Sequence, residues 1–242
     1  MGTIEGQIAV ITGGGSGVGA ALGLALAKAR VEIHLIGRRL EVLESIAAQA
    51  RSYGSSANCY SVDLATSSGQ AEIIRRLVGK LRHVNILIHS AGVYLANPIE
   101  EATLADFDTQ YQTNVRAPFT LTQSLLPLLK SGHGQVVFIN SSSGVVAKAN
   151  SAQYDSTKHA LRAIADSLRA ELNPHGVRVS SVYLGRTASE MQKRIHEKEG
   201  KPYRPELLLQ PEDVASVVLN ALCLSRTAEV TDIHIRPMIK PV

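Results

Sequence analysis

The chain predicts an α/β fold: one doubly wound, mostly parallel sheet with helices on both faces, formed as a single domain over residues 1–242. Three observations predict it. Strand-like and helix-like segments alternate from end to end, which within one sheet means right-handed crossover connections. The strand-like segments are continuous Val/Ile/Leu runs, the pattern of strands covered on both faces. A glycine-rich turn leads from the first strand straight into a helix, and ligands of such sheets bind at the carboxyl ends of the strands.

The elements follow in order. Residues 7–12 (Gln-Ile-Ala-Val-Ile-Thr) read as a buried strand, followed by the glycine turn and an Ala/Leu-rich helix over about 17–29. Strand 31–36 precedes a helix near 40–52, and strand 57–62 a helix near 68–81. Val84-Asn85-Ile86-Leu87-Ile88 is a fourth strand, and residues 101–130 supply one or two helices around Pro118. Strand 135–140, a helix near 152–172, strand 177–183, helices within 187–222 and a strand near 229–235 complete seven strands.

Composition narrows the class. Hydrophobic residues make up 45% of the chain and charged residues 19%, an ordinary globular mixture. No apolar run is long enough to span a bilayer, and the start lacks a secretory pattern, so a cytoplasmic protein without a membrane partner is expected. The 25 basic residues are nearly matched by 21 acidic ones and form no block, which argues against nucleic acid as a partner. Cys59 and Cys223 stand apart with no metal-ligand partners nearby. They read as reduced, buried, small apolar residues, and no metal is expected.

The turn after the first strand is Thr12-Gly13-Gly14-Gly15-Ser16-Gly17-Val18-Gly19. Glycines let a backbone approach a pyrophosphate, and the following helix offers N–H donors and a favourable dipole. The best register is Gly13-xxx-Gly17-x-Gly19, with Gly15, Ser16 and Val18 in the cradle. Where an acid would accept a ribose 2′-hydroxyl stand Gly37, Arg38 and Arg39. A guanidinium clamps a 2′-phosphate, so NADP(H) is favoured with NAD(H) possible. Solvated arginines at a helix start are the alternative reading.

Tyr154 and Lys158, four apart in Tyr154-Asp155-Ser156-Thr157-Lys158, share one face of their helix. A lysine beside a phenol favours the phenolate and lowers the tyrosine pKa, fitting the pair for proton exchange with a carbonyl or alcohol. With the glycine loop in front, the chain resembles the short-chain dehydrogenase/reductase family, in its single-domain branch of about this length. The resemblance covers nearly the whole chain and implies a Rossmann-like, seven-stranded fold. It implies cofactor roles for Asp63 and Leu64 near the adenine, for Ser90-Ala91-Gly92 after the fourth strand, and for Gly185 and Thr187 after the sixth. It implies an active-site tetrad of Asn114, Ser141, Tyr154 and Lys158, with Ser142 and Ser143 as competitors of Ser141. His89, Leu184 and Ser189 depart from the family pattern, and His89 reads as a hydrogen-bonded structural residue.

The implied chemistry is hydride transfer between NADP(H) and a small carbonyl or alcohol substrate. Tyr154 would be the general acid/base, Lys158 would support it and hold the ribose, and Ser141 would bind the carbonyl oxygen. Asn114 would hold a water that relays protons. Val93, Tyr94, Val145 and Tyr183 are expected to line the substrate pocket, and residues 186–205 to form a helical lid. Apolar residues on more than one face of the helices near 103–130 and 152–172 lead to a homodimer or homotetramer. The rivals are an epimerase on the same fold and a dinucleotide-sensing protein without catalysis.

Overall fold

The computed structural model describes residues 2–239. Seven parallel strands form one sheet: β1 (Ile8–Thr12), β2 (Glu32–Gly37), β3 (Ala57–Ser61), β4 (Ile86–His89), β5 (Gln135–Ser141), β6 (Arg178–Leu184) and β7 (Asp232–Ile235). Their order is β3-β2-β1-β4-β5-β6-β7, so the chain winds outward from β1 and then reverses to wind outward from β4. That reversal opens a crevice at the carboxyl ends of β1 and β4.

Side chains alternate across each strand and load both faces. Ile11, Ile33, Leu35, Ile88 and Val182 point to one face, covered by α1 (Gly17–Lys28), α2 (Leu40–Ser52) and α8 (Pro211–Leu222) through Leu22, Leu26, Leu43 and Val218. Val10, Ile36, Leu87, Val136 and Phe138 point to the other. There α3 (Ser67–Lys80), α5 (Ala117–Ser131) and α6 (Ala152–Leu172) bring Ile73, Leu77, Leu121, Leu125 and Leu161. Each fully buried side chain of this kind contributes about 1.5–3 kcal/mol. The registers Ile11↔Leu35 and Ile11↔Ile88 bring the ends of β2, β1 and β4 level, and with them the loops that follow.

The structure refines several expected elements. The fourth strand runs Ile86–His89, ending level with Thr12, and the last is only Asp232–Ile235. The region 101–130 divides into α4 (Leu104–Tyr111), one wide π-type turn over Gln112–Arg116, and α5. Pro118 lies in the first turn of α5, where its missing N–H is harmless. Residues 187–222 hold α7 (Glu190–Lys198) and α8. Cys59 and Cys223 are free but only half-buried, not interior residues as expected, because β3 is an edge strand and Cys223 caps the end of α8. Burial pushes the Cys59 thiol up to about 12, so it stays protonated. No described helix is long and apolar enough to cross a membrane.

Candidate active site

A cavity of about 530 Å³ opens along the carboxyl ends of the strands. Its floor begins with the glycine loop, and three glycines there have separate reasons. Gly13 has φ +68°, and a Cβ on it would stand 2.8 Å from the Ala91 nitrogen. Gly17 has φ +53° at the first residue of α1. A Cβ on Gly19 would stand 2.3 Å from the Gly13 carbonyl oxygen, so only glycine lets the helix pack under the loop. Thr12 ties this loop to the next, its hydroxyl accepting from the Ser90 and Ala91 N–H groups at 3.1 Å each.

The amino end of α1 carries no side-chain cap and no acid in its first turn. Its N–H groups therefore remain available to an anion, beside Gly15, Ser16 and Val18 on the cavity wall. Arg38 and Arg39 line the far end, and among the described residues neither pairs with a carboxylate. Asp63 and Leu64 stand near them, Asp63 Oδ1 accepting from the Ala65 N–H at 3.0 Å.

At the other end, Ser90, Ala91, Gly92, Ser141, Tyr154, Lys158, Gly185 and Thr187 share the same cavity. Ser141 ends β5, its Oγ accepting from the Ser143 N–H at 3.2 Å and its N–H donating to Asn140 Oδ1 at 2.8 Å. Ser142 and Ser143 also line the cavity, but it is the Ser141 hydroxyl that favours the Tyr154 phenolate. The Lys158 Nζ is buried, donates to the Ile139 carbonyl at 3.1 Å, and lies 5.7 Å from the Tyr154 ring centre. Tyr94 packs edge-on against the Tyr154 ring at 4.8 Å.

The electrostatics correct one expectation. The Tyr154 phenol is held above its ordinary range rather than below it, because burial disfavours the phenolate more than the nearby Ser141 hydroxyl favours it. Burial also lowers the Lys158 ammonium to about 8. Each group is thus pushed toward its neutral form.

Asn114 sits on the wide turn, adjacent to the cavity wall at Thr113. Its Oδ1 accepts from the Val93 N–H at 2.9 Å, and its Nδ2 donates to the Val93 carbonyl at 2.9 Å and to Thr157 Oγ1 at 3.1 Å. It thereby fixes the segment carrying Val93 and Tyr94, both of which line the cavity as expected. Val145 and Tyr183 do not. Tyr183 points to the opposite side of β6 and stacks on His234 at 4.7 Å, since the alternation of β6 turns Leu184 to the cavity instead. Val145 follows the short turn Ser142–Gly144 and faces solvent. His89 is buried and neutral, its pKa lowered by burial to about 3, with Nε2 2.7 Å from Thr122 Oγ1 and its ring stacked on Phe138.

Two contributors were not foreseen. Asp155 is buried directly after Tyr154, and its Oδ2 accepts from the Lys148 N–H and the Ser151 hydroxyl at 2.7 Å each. It pins the segment between Ser141 and Tyr154 that forms one cavity wall. An acid next to the tyrosine was the available signal. Asn140, whose Nδ2 donates to the Lys158 carbonyl at 3.2 Å, joins the end of β5 to α6. Ser189 caps α7 by accepting from the Gln192 N–H at 3.1 Å. Among the described residues no cluster of His, Cys, Asp and Glu fits a metal ion.

Comparison with known proteins finds relatives along nearly the whole chain. Residues 7–200 match the family described as short chain dehydrogenase. An uncharacterized oxidoreductase of Staphylococcus epidermidis is 29% identical over 239 residues, which cover 98% of this chain and 100% of the relative. The short chain dehydrogenase from Shigella flexneri has a solved structure with a TM-score of 0.89 at 26% identity, covering 99% of this chain and 94% of that one. A metagenomic short-chain oxidoreductase in complex with NADP gives a TM-score of 0.84 at 25% identity, covering 98% of this chain and all of that one. The span matched by the family takes in the glycine loop, the ends of β4, β5 and β6, and the Tyr154–Lys158 pair, and the chain belongs to the short chain dehydrogenase family.

Proposed function

We propose that this chain is an NADP(H)-dependent oxidoreductase that interconverts a carbonyl and an alcohol on a small organic substrate. The observation that carries the reading is the meeting of Ser141, Tyr154 and Lys158 in the cavity that also holds the glycine loop. The residues fit a dinucleotide along the whole cavity. The uncapped amino end of α1 suits a pyrophosphate, and the unpaired Arg38 and Arg39 suit a 2′-phosphate. Asp63 and Leu64 border the adenine end, and Ser90, Ala91, Gly92, Gly185 and Thr187 border the nicotinamide end. Lys158 has a single carbonyl partner for three N–H donors, which suits ribose hydroxyls. The NADP-bound relative supports the phosphate choice.

When bound there, the cofactor supplies or accepts the hydride. In reduction Tyr154 gives its phenol proton to the substrate oxygen as that oxygen becomes an alcohol, and in oxidation it takes the proton back. Burial keeps the phenol protonated, the form reduction requires. Ser141 donates its hydroxyl hydrogen to the same oxygen, where charge develops. Lys158, lowered to about 8, is still an ammonium at neutral pH and stands close to its exchange point, so it restores the proton that Tyr154 passes on. Asn114 keeps Val93 and Tyr94 against the substrate. Residues 186–205 act as a lid, and the apolar residues exposed on α4 and α5 serve a homodimer or homotetramer.

Tyr154→Phe tests the reading. Turnover of NADPH with ketones, aldehydes and keto acids is expected to fall by about a thousandfold or more, while NADPH binding persists. Near wild-type reduction by the variant would overturn the mechanism.

A further inference from the structure

Lys198 ends α7 and Glu199 follows it, and the two reach in opposite directions. Lys198 Nζ donates to the Ala96 carbonyl and to Asn97 Oδ1, the latter at 2.5 Å, on the segment that follows β4. Both Glu199 carboxylate oxygens accept from Arg186 Nη2, at 2.8 and 2.9 Å, on the segment that follows β6. Burial works to raise the Glu199 carboxyl, but the Arg186 hydrogen bonds and charge prevail and hold it below the ordinary carboxylate range. The pair is therefore ionised at neutral pH.

These contacts tie α7 to the segments that follow β4 and β6. In the sheet, β5 separates β4 from β6, so their ends stand about 10 Å apart, two strand spacings. Ser141 ends β5 between them. Two adjacent residues at the end of α7 thus hold it to the segment after β4 and to the base of its own loop after β6. The other end of α7 starts from Ser189, whose Cβ lies 3.7 Å from the place a Gly17 side chain would occupy. Met191, Gln192 and Ile195 line the cavity in between.

We infer that Lys198 and Glu199 form a two-sided clasp that holds α7 over the cleft and sets the residence time of the bound dinucleotide. The inference rests on the dinucleotide reading above and adds to it the residues that govern release. Each grip is a small set of polar contacts at the edge of solvent, Glu199 also standing 3.5 Å from Lys201 Nζ, so their loss changes a rate rather than the fold.

Stopped-flow fluorescence of NADPH release, chased with excess NADP⁺, tests this on the full chain. The variants are Lys198→Met, Glu199→Gln and, as control, Lys193→Met, an exposed lysine of the same helix with no partner among the described residues. Release is expected to be about fivefold faster in each clasp variant, the factor that about 1 kcal/mol gives. The melting temperature of each clasp variant should stay at the wild-type value, and Lys193→Met should release NADPH at the wild-type rate. Wild-type release rates in Lys198→Met and Glu199→Gln would overturn the clasp and leave the dinucleotide reading standing. A wild-type chain that takes up no NADPH at all would overturn both.

Discussion

Replacing Lys158 with methionine is expected to stabilise the chain while removing its turnover. The lysine is buried and offers its ammonium one partner, the Ile139 carbonyl. Burial lowers its pKa from 10.5 to about 8, a penalty on the charged form of about 3 kcal/mol. A group whose folded pKa is lowered is protonated more in the unfolded chain across the window from about 8 to 10.5. Stability therefore rises with pH through that window, and the penalty is complete only below it. Methionine keeps the unbranched apolar stem, and loss of the bond to Ile139 takes back about 1 kcal/mol. The net gain near pH 7 is about 2 kcal/mol, or about 4–8 °C in melting temperature for a chain of this size. Thermal unfolding near pH 7 and near pH 9.5 should show the gap narrowing to well under half at the higher value. A variant less stable than wild type at neutral pH, or a gap that ignores pH, would refute the reasoning.

Further outcomes follow from other sites. Arg38→Ala should weaken NADPH binding by about ten- to a hundredfold, the worth of a hydrogen bond to a charged group, and leave NADH nearly unchanged in fluorescence titrations. Gly19→Ala should destabilise by about 2–3 kcal/mol or abolish dinucleotide binding, because the new methyl meets backbone rather than a flexible side chain. Gly79→Ala, in α3 with open space around it, should instead stabilise by about 0.5–1 kcal/mol in urea unfolding. Phe119 is 48% exposed on α5, and Phe107 and Tyr111 stack on each other in the exposed part of α4. Phe119→Asp should lower the mass measured by light scattering if that face joins two copies.

The features legible in the sequence were those governed by local rules. Continuous apolar runs marked the strands, since burial on both faces needs no long-range knowledge. The glycine pattern marked Gly13, Gly17 and Gly19 because backbone sterics alone demand glycine there. What escaped depended on surroundings. Tyr183 and Leu184 are both apolar residues at a strand end, and only the register of β6 decides which faces the cavity. The Tyr154 pKa was misjudged because spacing reveals the nearby lysine but not the desolvation that outweighs it. Lys198 meets Ala96 and Asn97 across about a hundred residues of chain, a contact no local pattern encodes.

The wide turn at Gln112–Arg116 carries a consequence for how this segment tolerates change in length. A π-type turn spreads about the rotation of four α-helical residues over five, so removing one residue would restore regular α-helical bonding and leave everything beyond it in phase. Leu121, Leu125 and Leu129 would keep their place against the sheet, and the loss would fall on Asn114 and its bonds to Val93 and Thr157. The extra residue therefore serves the cleft rather than the core: a codon lost here would spare the packing of α5 and fall on the site.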